Sequence, residues 1–203
     1  MVNLMKKLKL LALPVSLSVA LALPCFARDK NLKEKDNDFV SIGVSKFGDE
    51  SMNEEWGNAF PLSIGYNTYL AKNLRYEGSG SFGFNRNTYS LDNNVVSYSQ
   101  YYNFIITASL QLVMPQEGFD LFLGGGLEWS TLKFKENSID DDKPYKEKVE
   151  GAGMVFIGGA EIPISEKLNA MLSVKYSSIN PYKDEYGGFE MGAITFSAGL
   201  STK

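Results

Sequence analysis

From residue 38 onward, apolar and polar residues alternate in eight separate stretches, joined by connections that run long, short, long, short. A period of two marks a strand whose two faces meet different surroundings. The clearest case is 59–69, where Phe60, Leu62, Ile64 and Tyr66 share one face and Ser63, Gly65 and Asn67 the other. The same reading predicts strands over 38–47, 74–85, 95–114, 119–135, 149–162, 168–177 and 188–200. The short connections are 71–73, the Pro115-Gln-Glu-Gly118 turn and 163–167; the long ones are 48–58, 85–94, 136–148 and 178–187.

Each of these strands has at least the roughly 9–11 residues needed to cross a bilayer at barrel tilt. A strand-built span must satisfy every backbone donor and acceptor internally, so the sheet closes on itself. Membrane barrels carry short turns on the periplasmic side and longer loops outside. The expectation is therefore an all-β fold, an eight-stranded antiparallel up-and-down transmembrane β-barrel. Eight strands enclose an interior just wide enough for side chains to fill.

Alternation alone also suits a soluble barrel, apolar inside and polar outside. The apolar faces here are continuous and rich in aromatics. Tyr66, Tyr69, Tyr98, Trp129 and Tyr176 stand near strand ends, where interfacial girdles occur. The opposite faces hold Gly, Ser, Asn and charges, as suits a narrow polar lumen. That contrast selects lipid outside and polar contacts within. A soluble periplasmic carrier of a lipophilic ligand is the inverted alternative.

Residues 1–27 read as a cleavable signal peptide: Lys6, Lys7 and Lys9, an apolar run from Leu10 to Leu23, and Pro24-Cys-Phe-Ala27 before the cut. Pro24 stands where lipidation of Cys25 would need a small residue. Removal of the three lysines takes the formal net charge from −4 to −7 and leaves no cysteine. An acidic chain without a basic face argues against nucleic-acid binding. Residues 28–37 (RDKNLKEKDN) read as a charged periplasmic lead-in, and 38–203 as the barrel domain. No later run of about 18 apolar residues offers a transmembrane helix.

The runs Phe122-Leu-Gly-Gly-Gly-Leu-Glu-Trp129 and Phe156-Ile-Gly-Gly-Ala-Glu-Ile-Pro163 carry a family likeness. So do Ile164 to Tyr176 and the ending Phe196-Ser-Ala-Gly-Leu200. Over 39–200 the chain resembles the small outer-membrane barrels typified by the OmpA transmembrane domain and OmpX. The chain departs from the group in ending Ser201-Thr202-Lys203, where such proteins often end in an aromatic residue. The resemblance implies a monomer in the bacterial outer membrane, among its lipids and inserted by the barrel-assembly machinery. It implies a role in envelope integrity, or in contact with a host or matrix surface ligand through the outer loops. Trp56, Tyr89, Tyr145, Tyr182 and Tyr186 are the contact candidates in those loops.

The chain has no histidine. Enzymes on outer-membrane barrels of this size, such as lipid A deacylases, lipid A palmitoyltransferases and omptin proteases, use one. A Ser–His or Asp–His site cannot be built here, so the expectation is no enzyme and no catalytic, cofactor or metal residues. Gly78-Ser-Gly80-Ser-Phe-Gly83 matches G-x-G-x-x-G, but a strand follows it and not a helix to receive a pyrophosphate. Asp140-Asp-Asp142 lacks the spacing of a calcium loop.

The pointed chemistry lies on lumen-facing registers: Arg75, Glu77, Asp120, Glu128, Glu161 and Lys175. Charges in such an interior are paired or hydrated. They read as a structural network plugging the lumen, with a catalytic carboxylate pair as the sharper alternative. Strand direction puts Arg75, Glu77, Asp120 and Glu161 toward the periplasmic half, and Glu128 and Lys175 toward the outer half. If the lumen charges leave a hydrated path, the barrel is instead a small ion-conducting channel.

Overall fold

The computed structural model describes residues 36–47, 58–91, 94–138, 145–181 and 192–202. The signal region, the 28–35 part of the lead-in, Trp56, Tyr182, Tyr186 and Asp140 to Asp142 lie outside them. The strands are β1 (Asn37–Phe47), β2 (Leu62–Ala71), β3 (Leu74–Leu91) and β4 (Asn94–Gln116). They continue as β5 (Phe119–Ser138), β6 (Tyr145–Pro163), β7 (Leu168–Pro181) and β8 (Ala193–Thr202). Each pairs antiparallel with its chain neighbours, and β1 pairs with β8 to close the barrel.

Facing follows the two-residue period. Ile42, Ile64 and Leu123 stand outside at 67%, 63% and 62% exposure, with Phe104, Phe156, Leu172 and Phe196 around the same band. Ser41, Asn67, Thr107, Gln111, Ser130 and Ser201 are buried inside. A soluble barrel would invert this, because apolar side chains exposed to water on this scale have no compensating burial. Two facings depart from expectation. Tyr69 is not in an outer girdle; it is buried in the lumen beside Phe39, Val113, Phe122 and Met171. Its odd position, shared with Ser63, Gly65 and Asn67, decides this over residue type. Nor is the lumen uniformly polar. Phe47, Ala59, Tyr101, Leu132, Phe134, Val149 and Ile179 form an apolar layer near the long-connection end.

The strands also run further than the alternation. β3 has 18 residues, β4 23, β5 20 and β6 19, whereas β1, β2 and β8 have 10 or 11 and β7 has 14. The expected loop 85–94 is instead paired backbone as far as Leu91 opposite Asn94. Ladder pairing likewise takes up the ends of the expected 136–148 loop, with Glu136 opposite Tyr145. Tyr89 and Tyr145 thus belong to strands. Beyond the lipid both faces meet water, so no alternation is required, while backbone pairing goes on regardless. β2 starts at Leu62, later than expected, because Pro61 has no N–H for the ladder; its carbonyl still accepts from Gly43 N at 2.9 Å. β8 starts at Ala193.

Two turns show why the short end is tight. Gly118 closes the β4–β5 hairpin at φ 85°, in the left-handed region. At the β6–β7 turn, Ile164 N and Ser165 N both donate to Leu168 O, at 3.0 and 3.1 Å. The Gly78–Gly83 motif lies wholly within β3, and Gly78 leaves room for the Tyr66 ring.

Candidate functional site

The lumen charges form two clusters at different heights. Nearer the short-turn end, Arg75 Nη1 on β3 meets Glu161 Oε1 on β6 at 2.6 Å, both almost fully buried. Arg75 Nε donates to Gln111 Oε1 at 2.7 Å. Gln111 Nε2 passes the connection on to Glu77 Oε2 at 2.6 Å, and Ser79 Oγ donates to Glu77 Oε1 at 3.2 Å. The guanidinium carbon lies 4.5 Å from the centre of the Phe122 ring, within cation–π range. A planar fork suits this position, since it reaches a carboxylate and an amide at once while stacking on an aromatic face.

Higher in the barrel, Lys175 Nζ on β7 meets Glu128 Oε2 on β5 at 2.8 Å. Thr107 Oγ1 donates to the same oxygen at 3.0 Å. Both ion pairs join strands that are not neighbours in the wall: β3 to β6, and β5 to β7. They are struts across the bore. Losing one partner of such a pair leaves a buried charge uncompensated, at a cost of about 3–5 kcal/mol.

Five of the six expected charges therefore meet in these clusters. Asp120 does not. It sits half-exposed at the short-turn rim, opposite Glu161 in the ladder, with no hydrogen bond or ion pair among the described residues. Four contributors stood outside the expected set: Gln111, Thr107, Phe122 and, on the polar register of β3, Ser79. The first two lie on the polar register of β4, and Phe122 shares its even register with Asp120 and Gly124. Parity alone could have found all four.

Against both clusters, touching Glu77 and Lys175, lies a cavity of about 50 Å³ whose lining includes Ser41, Ser45, Ser63, Ser81, Thr195 and Ser197. That is room for a few waters, with hydroxyls to hold them. Ser45 Oγ and Thr195 Oγ1 lie 2.6 Å apart, and Ser63 Oγ and Ser81 Oγ 2.7 Å apart. Above it the apolar layer crosses the bore, with the Phe47 and Tyr101 rings 5.6 Å apart and at 62°.

A closed eight-stranded sheet, apolar outside and polar or plugged inside, defines a transmembrane β-barrel. Residues 15–201 match the family described as the outer membrane protein beta-barrel domain. The chain belongs to that family, which is one of the bacterial outer membrane. Among solved structures it is similar to Neisserial surface protein A, at TM-score 0.55 and 12% identity, covering 83% of this chain and 95% of that one. It is also similar to a major outer membrane protein from Thermus thermophilus (TM-score 0.51, 10% identity, coverage 82% and 98%). A third is OprG from Pseudomonas aeruginosa (TM-score 0.50, 12% identity, coverage 82% and 94%). At such identities the likeness is one of fold. No curated protein matches in sequence.

Proposed function

We propose that this chain is a non-enzymatic, non-conducting outer-membrane barrel with an envelope-structural role and a surface-contact role on its long-connection side. The observation that carries this reading is where the extra strand length goes. At about 3.3 Å per residue and a tilt near 40°, β4 rises about 58 Å, against an apolar band of about 25 Å. β2 rises only about 25 Å by the same measure. The excess in β3–β6 thus stands outside the membrane as a wall, while the bore behind it is filled. The Tyr101–Leu132–Phe134 layer supports a silent lumen, as do the cross-bore ion pairs.

In this reading, residues 1–27 are removed on export and 28–37 lead in from the periplasm. The barrel works as a monomer inserted by the assembly machinery, with its long connections outside the cell. Trp56, Tyr89, Tyr145, Tyr182 and Tyr186 are the contact anchors for a host or matrix ligand. The absence of any histidine supports a role without catalysis.

Planar-bilayer recording of the refolded protein tests the lumen: no unitary current is expected, and a steady one would instead make the barrel a channel. Binding of cells displaying the barrel to immobilised matrix proteins tests the loops. Serine at all five anchor positions should reduce that binding at unchanged surface level, and undiminished binding would remove the contact role from those residues.

A further inference from the structure

The outer face of the β3–β6 wall changes character abruptly above the apolar band. The register aligns Phe82, Phe104, Thr131 and Glu150 in one lateral row, and Phe84, Tyr102, Lys133 and Lys148 in the next. Above these lie Arg86, Gln100, Lys135 and Lys146. All share the parity of the lipid-facing residues below them, such as Trp129 and Met154. Five cations and one carboxylate are thus gathered on one patch of an acidic protein. Lys148 Nζ pairs with that carboxylate, Glu150 Oε1, at 2.6 Å.

The gathering opposes sheet stability. Lys133 stands directly opposite Lys148, and Lys135 directly opposite Lys146. Like charges so placed destabilise a ladder. The other half of the barrel, β7, β8, β1 and β2, carries a single outward cation near this height, Lys46, among the described residues.

We infer that this patch binds the anionic, phosphate-bearing headgroup of a lipid in the leaflet on the long-connection side. Its acyl chains would lie against Phe82, Phe104 and Trp129. Two observations select a lipid over a soluble polyanion. The cations lie on the lipid-facing parity, and they adjoin an aromatic belt in which Phe104 and Trp129 meet edge to face at 6.4 Å. A soluble ligand would need only the upper row, whereas a lipid uses both the cations and the belt. The inference rests on the apolar band lying in lipid.

The chain itself supplies the probe. It has two tryptophans, so W56F leaves Trp129, four residues below Lys133 on the same face of β5. That is about 13 Å along the strand, within the acyl depth of a lipid held at the lysines. In liposomes, acyl-brominated phosphatidylglycerol is compared with acyl-brominated phosphatidylcholine as a quencher of Trp129. Preference for the anionic lipid should be at least about fivefold at low salt, and weaker at about 0.5 M salt. Glutamine at Lys133, Lys135, Lys146 and Lys148 should abolish it. That variant relieves repulsion, so its folded band on an unboiled gel should persist. Glutamine at Lys72 and Lys167, exposed at the opposite rim, should leave the preference intact. Equal quenching by both lipids, or a preference surviving the four glutamines, would overturn the inference. So would binding of a soluble sulfated polysaccharide without lipid preference. Absence of quenching by either lipid would overturn the lipid placement as well.

Discussion

The two halves of the barrel wall answer different demands. β7, β8, β1 and β2 run 10–14 residues, which is little more than crossing requires. At mid-height their lumen faces are small (Ser41, Gly43, Ser45, Ser63, Gly65, Ser173, Ser197 and Gly199), with larger apolar side chains, Phe39, Phe47, Tyr69, Met171 and Ile179, toward the two ends. β3–β6 run 18–23 residues, and the lumen faces of β4–β6 present large side chains along their length: Tyr101, Gln111, Phe122, Leu132, Phe134, Val149 and Ile157. An eight-stranded bore holds only so much side chain. Bulk on one side is therefore accommodated by hydroxyls and glycines on the other, and the small cavity lies chiefly against the small side. The tall wall carries both ends of the Arg75–Glu161 strut and one end of the Lys175–Glu128 pair; the low wall closes the cylinder.

The sharpest way to break this contrast is at the strut rooted in the tall wall. R75E would set three carboxylates together, with Glu77 and Glu161, in a buried site. No heat-modifiable folded band is expected on an unboiled gel, and a normal band would remove the strut from the account. R75M, which leaves Glu161 unpaired, should cost about 3–5 kcal/mol in denaturant unfolding from liposomes. F134A should cost about 3–5 kcal/mol through the cavity it opens in the apolar layer, while S197A on the low wall should stay within about 1 kcal/mol. G118V forces a β-branched residue to φ 85° and should cost about 1–3 kcal/mol without altering either wall. The smallest effect sharpens the contrast most. Replacing residues 88–98 by Asn-Gly trims β3 and β4 above the membrane and should change stability by less than about 1 kcal/mol. Removing a comparable length from β1 should prevent closure.

Much of the candidate site was legible strand by strand. Arg75, Glu77, Glu128, Glu161 and Lys175 each lie on the register that alternation assigns to the lumen, and strand direction sorts them by height. Asp120 shares that register yet stands at the half-exposed rim with no partner among the described residues, since alternation tells the face and not the depth. Tyr69 shows the converse lesson: residue type suggested a girdle, while parity put it inside, and parity decided. The ends of β3–β6 were illegible because pairing in water imposes no apolar period on side chains.

The sequence by itself determined the number of strands and which residues face lipid or lumen. A period-two pattern fixes which residues share a face, and continuous aromatic-rich faces opposite small and charged ones select lipid for the apolar side. Only the tertiary structure decided who meets whom: Arg75 with Glu161, Lys175 with Glu128, and lysines of β5 and β6 in rows with Arg86 of β3. Lateral neighbours depend on the register between strands. Sliding one strand by two residues preserves every face yet exchanges every neighbour, so no strand's own pattern encodes the choice. Closure of the whole cylinder sets it.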